Sequence, residues 1–178
     1  MRTRVLQTQR LTVRHFDRAD AAFILELLNE PSWLQHIGDK GVKTLSEAER
    51  YIQDGPVAMY VRLGFGLYLV ELAGSGEPVG MCGLVKRDSL EDVDLGFAFL
   101  PRFWGNGYAH EAAAAVLAYA IVDLRIDRIV AITSQTNQPS SKLLRRLGFT
   151  FERLLAARGG GQELMLYSIT SPSGNAAA

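Results

Sequence analysis

The stretch Leu95-Gly-Phe-Ala-Phe-Leu-Pro-Arg-Phe-Trp-Gly-Asn-Gly-Tyr-Ala-His-Glu-Ala112 constrains this chain more than any other. A strand runs into a glycine-rich turn, and the turn opens a helix. Unpaired N–H groups at a helix start carry partial positive charge and suit a phosphate. Gly105 and Gly107 let the backbone approach a ligand with no Cβ in the way. The helix beyond is rich in alanine, from Ala112 to Ala115 and at Ala118 and Ala120, which favours close packing against a sheet. A plain turn before a good helix former would carry the same glycines, so the turn alone does not fix a function.

Two other phosphate loops fail here. A Walker loop ends in Gly-Lys-Ser/Thr, which does not follow these glycines. A dinucleotide turn needs Gly or Ala where His110 stands, and it normally opens its fold. More than half of this chain precedes the turn. With 19 basic and 19 acidic side chains the chain has no net charge, so it has no global attraction for nucleic acid or an anionic membrane. The anion site must be built locally. Cys82 is the single cysteine, and His15, His36 and His110 are scattered, so no metal site is expected. The first ten residues lack the apolar core of a signal peptide, and no apolar run would span a bilayer. A cytoplasmic protein is the expectation.

Alternation at Leu11, Val13 and Phe16 predicts a first strand. A helix over Ala21 to Asn29 follows, closed by Pro31, and Trp33 to Thr44 reads as loop. Ser46, with Glu49 as its capping-box partner, predicts a helix over Glu47 to Asp54 that stops at Gly55-Pro56. Strands are expected over Leu67 to Leu72, Val79 to Lys86 and Asp92 to Leu100, the first two joined by a hairpin. A helix from Gly107 to Asp123, a strand from Arg128 to Thr133 and a helix from Gln138 to Leu147 come next. Strands Phe149 to Leu155 and Glu163 to Ile169 flank the loop Arg158 to Gly161, and Ser171 to Ala178 reads as a disordered tail. With no repeats and no linker, one mixed α/β domain over residues 1–170 is expected.

Trp104-Gly-Asn-Gly107-Tyr-Ala109 resembles the coenzyme A pyrophosphate loop of the GNAT superfamily of N-acetyltransferases, with Trp104 in place of the usual Gln or Arg. The run as far as Ala112 is similar to the branch that contains ribosomal-protein-alanine N-acetyltransferases. Thr8 to Arg14, Gly76 to Leu84 and Asn137 to Phe149 resemble the opening strand, central hairpin and fourth-helix motif of that branch, in order. The resemblance implies a mostly antiparallel mixed sheet flanked by helices, with central strands splayed around the pantetheine arm. It implies acetyl-CoA as cosubstrate and direct attack by an amine acceptor. Cofactor contacts are implied at Phe99, Leu100, Trp104, Gly105, Asn106, Gly107, Tyr108, Ala109, Asn137 and Ser140. The oxyanion donor is implied to be a backbone N–H near Phe99 or Leu100. Trp33, His36 and Tyr51 fall where the family covers its acceptor. Leu144 stands where many relatives carry a tyrosine acid, which leaves Ser140 or a water to assist the leaving sulfur.

Strand parity supplies a base. Val93, Leu95, Phe97 and Phe99 share one face, while Asp92, Asp94, Gly96 and Ala98 share the other. Asp94 beside small residues leaves room for a ligand; Glu91, Glu111 and Glu71 are weaker candidates. Asp94 could equally pair with a surface cation. Arg102, Arg145 and Arg146 are candidate phosphate contacts or solvated charges, and Cys82 in its apolar strand is expected to be an inert thiol. The acceptor stays open between a peptide N-terminus and a small amine, with an acidic pocket favouring a polyamine or aminoglycoside. A non-catalytic acyl-CoA-binding module is the competing reading, and monomer or homodimer is undecided.

Overall fold

The computed structural model describes residues 3–156 and 162–171. The loop expected at 158–161 and residues 172–178 of the expected tail lie outside them. Eight strands form one sheet in the order β1-β2-β3-β4-β5-β6-β8-β7. They are β1 (Arg4–Gln7), β2 (Leu11–Arg14), β3 (Leu67–Leu72), β4 (Pro78–Val85), β5 (Val93–Phe99), β6 (Arg128–Ser134), β7 (Thr150–Leu155) and β8 (Leu164–Thr170). All neighbours run antiparallel except β5 and β6. That parallel pair is in register only at Val93↔Ile129 and Asp94↔Val130. Beyond Asp94 the two strands part, so the sheet opens at its centre, as the resemblance implies.

Helices cover both faces. Helix α5 (Tyr108–Val122) buries Ala112, Ala113, Val116, Leu117 and Ala120. This stripe repeats with helical period and is mostly alanine, so the helix lies close to the sheet. Its core takes in Leu11, Tyr68, Cys82, Leu95 and Phe99. On the opposite face a second core joins Phe23, Ile24, Leu27, Trp33 and Ile52 to Leu69, Met81 and Leu100 of the sheet side. It is carried by α1 (Ala21–Asn29), α2 (Pro31–His36) and α3 (Leu45–Ile52).

The N-terminal third departs from expectation in four places. A strand, β1, precedes the expected first one. Pro31 opens α2 at its first turn rather than closing α1, because a missing N–H costs nothing there, so Trp33 to His36, expected as loop, are helical. The N-cap of α3 is Thr44, whose side chain accepts from Glu47 N–H while Glu47 returns the bond. Thr44-x-x-Glu47 and Ser46-x-x-Glu49 are both capping-box patterns, and the two-residue offset was not readable from spacing. Finally, Gly55-Pro56 does not stop the helix. Residues Gln53–Val57 form a π-turn that leads into α4 (Ala58–Leu63), and Ala58 N–H reaches back to Gln53 O. The wider turn carries the proline, whose missing N–H and ring would break a regular α-turn.

Candidate active site

The gap between β5 and β6 is the floor of a cleft with two chambers, each of about 430 Å3. Trp33, His36, Phe97, Ala98, Asn137 and Ser140 line both chambers, so the two are continuous. One chamber ends at the glycine turn and the start of α5. The other ends at Asp94, Arg87 and the π-turn.

The glycine turn is shaped as its sequence predicts. Gly105 and Gly107 have φ of +79° and +80°, a left-handed conformation that side chains other than glycine disfavour. Gly107 is the residue ahead of α5, and no side chain caps this end. The N–H groups of Gly105, Asn106, Gly107, Tyr108 and Ala109 have no backbone partner among the described residues. They form a rim of free donors backed by the dipole of a 15-residue helix. Arg146, His110 and Pro139 line the same chamber. Trp104 is half-exposed there, and its Nε1 donates to Phe99 O at 2.8 Å.

Arg10, from the β1–β2 turn, braces this rim. Its Nη1 donates to Asn106 O at 2.9 Å, its Nε and Nη2 reach Glu111 Oε2 at 2.7 and 2.6 Å, and its guanidinium lies 4.8 Å from the Tyr108 ring centre. Glu111 also accepts from Thr8 Oγ1 at 2.6 Å and from Arg10 N–H at 3.0 Å. A carboxylate held so firmly sits below its usual pKa; burial opposes this, and the bonds from Thr8 and Arg10 outweigh it. Glu111 is therefore occupied in holding the turn.

On β5 the parity reading holds for the core contacts, although Leu95, Phe97 and Phe99 of the core face also reach the cleft where the sheet is open. Asp94 lines the cleft with Gly96 and Ala98, and Leu95 and Phe99 enter the α5 core. Asp94 is 1% exposed. Its Oδ2 accepts from Arg87 Nε at 2.6 Å, while its Oδ1 has no hydrogen-bond partner. Burial pushes this carboxyl up to about 6, against opposing pulls from the Arg87 guanidinium and the nearby Ile132 N–H. The cation partner allowed for in the sequence is thus real, yet it leaves one oxygen free. Glu71 binds Arg14 at 2.8 Å in a buried ion cluster, and neither Glu71 nor Glu91 lines the cleft.

The implied oxyanion position divides cleanly. Leu100 N–H donates to Val79 O at 3.0 Å, so Leu100 is spent on β4 and is corrected as a donor. Strand alternation then turns Phe99 N–H to the other side, into the gap where β6 has left the sheet. Asn137 Oδ1 accepts from Ser140 N–H at 3.2 Å as the cap of α6 (Gln138–Arg146). Its amide and Ser140 both remain on the cleft wall. Trp33 Nε1 is anchored on Gly38 O at 3.0 Å, and Tyr51 walls the Asp94 chamber. The three arginines separate: Arg102 pairs with Glu26, Arg145 lies over Tyr167, and only Arg146 reaches the cleft. Cys82 is fully buried on the α5 side, and burial pushes its thiol well up, as befits an inert group. Arg87 and Arg10 escaped the sequence reading. The β4–β5 register, which pairs Val85 with Asp94, could have brought Arg87 to the site; nothing in the pattern marks Arg10.

Comparison with known proteins agrees with this geometry. A sequence profile of the acetyltransferase (GNAT) domain matches residues 10–150. The uncharacterized N-acetyltransferase YoaA of Bacillus subtilis is 25% identical over 94% of this chain and 97% of its own length. An acetyltransferase from Agrobacterium tumefaciens superposes with a TM-score of 0.79 at 25% identity, covering 93% of this chain and 94% of that one. The fold is also that of RimL, a ribosomal L7/L12 α-N-protein acetyltransferase solved with coenzyme A (TM-score 0.80, 19% identity, 94% and 98% of the two chains). The chain belongs to the GNAT family and is an acetyl-CoA-dependent acetyltransferase.

Proposed function

We propose that the protein acetylates a primary amine by direct attack on acetyl-CoA, with both substrates in the cleft at once. One observation carries this reading: a single continuous cavity has free backbone donors at one end and a buried carboxylate with an unpartnered oxygen at the other. The N–H groups of residues 105–109 bind the pyrophosphate. Trp104, Asn137 and Ser140 flank the arm that leads inward, and the thioester lies in the gap beyond Phe99. Asp94 takes a proton from the incoming ammonium, which frees the lone pair. Phe99 N–H donates to the carbonyl oxygen as charge gathers on it. The C–N bond forms, the C–S bond breaks with its electron pair on sulfur, and Ser140 Oγ relays the second proton lost from nitrogen to the thiolate. Trp33, His36 and Tyr51 wall the acceptor. The name of RimL makes a protein N-terminus one acceptor class, and a small amine is the other.

Direct transfer is tested by intact-mass spectrometry after incubation with acetyl-CoA alone, together with initial-rate kinetics. No acetylated enzyme and intersecting reciprocal plots are expected, with Cys82→Ala as active as the wild type. A burst of acetylated enzyme would overturn the ternary-complex reading.

A further inference from the structure

The acceptor half of the cleft has a charge pattern that narrows the amine. Asp94 is the only carboxylate lining it among the described residues, and Arg87 already pairs with that carboxylate. Lys40 stands on the same wall, so the lining carries more positive than negative charge. A polyamine or aminoglycoside would bring two or more cations to a chamber with one half-neutralised acid, and each further cation would meet Arg87 or Lys40 unpaired.

Arg87 is used only in part. Its Nε holds Asp94 Oδ2, its side chain is 41% exposed, and its two Nη groups donate to no described residue. Two free N–H groups on a planar guanidinium are the fork that receives a carboxylate in bidentate fashion. Beside it, Asp94 Oδ1 is buried and unpartnered, which a native structure tolerates at a site that awaits a donor. An unpartnered acceptor oxygen, buried just behind the chamber lining, and a half-exposed double donor thus stand on two lining side chains joined by one hydrogen bond. Tyr51, Met59, Leu67 and Met81 give this end of the chamber an apolar and aromatic wall, with Thr133 and Ser134 of β6 as its neutral polar groups.

We infer that the acceptor is a free α-amino acid with an apolar side chain, its ammonium on Asp94 Oδ1 and its carboxylate on the Arg87 Nη fork. This rests on the amine-acetylation reading above and names its substrate. An α-amino acid sets the two charges one carbon apart, which matches two groups that are themselves in contact. A peptide N-terminus offers the ammonium but places an uncharged amide where the carboxylate would sit. The reaction balances without another reagent: the ammonium gives one proton to Asp94, the nitrogen forms its bond to the acetyl carbon, and the C–S bond breaks. The second proton lost from nitrogen goes to the thiolate, and Asp94 returns its proton to solvent.

The test compares leucine, methionine and phenylalanine with their amides, their decarboxylated amines, matching dipeptides, an N-terminal peptide and spermidine, all by coenzyme A release. The free amino acids are expected to exceed their amides in kcat/KM by about 10- to 100-fold, the usual worth of one well-placed charge partner. Arg87→Met is expected to collapse that acid-to-amide ratio towards one, whatever it does to the absolute rates, and Arg87→Lys to keep part of it. A general loss of the base or of the fold would lower acids and amides together and leave the ratio unchanged. Peptides or spermidine accepted in preference to free amino acids would overturn this inference and leave amine acetylation standing. No amine accepted at all would overturn both.

Discussion

At the residue scale the proposed base, Asp94, decides most. Its carboxyl, held near 6 by burial, is ionised at neutral pH yet basic enough to take a proton from an ammonium. The acid limb of kcat/KM is therefore expected near pH 6 in the wild type. Asp94→Asn should lower kcat/KM by about 10²- to 10⁴-fold and remove that limb, with little change in coenzyme A affinity. A variant that keeps the rate and the limb would move the base elsewhere. The same burial has a consequence for folding. Because the folded pKa lies above the ordinary 3.8, the protonated form is favoured in the fold; that stability is present below about 3.8 and is lost as pH rises through about 6. At pH 7 the ionised, half-partnered carboxylate is a cost. Asp94→Asn is accordingly expected to stabilise the protein by up to about 3 kcal/mol at pH 7, the worth of two pKa units. Urea denaturation at pH 5 and pH 7.5 measures this, and the gain should be larger at the higher pH. Such opposition between activity and stability is what a buried general base predicts.

The element that matters most is the turn before α5. Its donors are backbone groups, so only its conformation can be altered. Gly107→Val would force a β-branched residue to φ near +80° and bring its Cβ to 3.4 Å from Arg10 Nη2. Calorimetric titration is expected to show coenzyme A binding weakened at least tenfold in a folded variant; unchanged affinity would remove the turn from the cofactor site. Arg10→Ala tests the brace from outside. Loss of charged hydrogen bonds to Asn106 O and Glu111 should raise KM for acetyl-CoA about tenfold and leave kcat nearly unchanged, since the contact does not distinguish ground from transition state. A fall in kcat alone would mean that Arg10 serves something other than the turn.

Across the whole molecule, legibility followed the length over which a pattern acts. From Leu67 onward the strands and helices fall within a residue or so of their expected bounds, because alternation, β-branched runs and the glycine turn are local signals. The parity of β5 put Asp94 on the cleft side for the same reason. Before Leu67 local signals conflict: two capping boxes overlap, and Gly55-Pro56, a helix stop by its residue types, sits inside a π-turn. Arg87 and Arg10 were invisible because their roles depend on register and on a contact about 100 residues away in the chain. Leu100 failed as a donor through a single strand bond that no sequence pattern encodes. The central claim concerns the cleft as one unit, in which the binding rim and the buried acid serve the same reaction. It is tested most directly by coenzyme A release from acetyl-CoA with and without an amine panel, the product mass being read in parallel. Amine-dependent release, with one acetyl group gained by the amine and none by the enzyme, is the predicted result. Tight coenzyme A binding with no amine acetylated would contradict it and leave a coenzyme A-binding module in place of an enzyme.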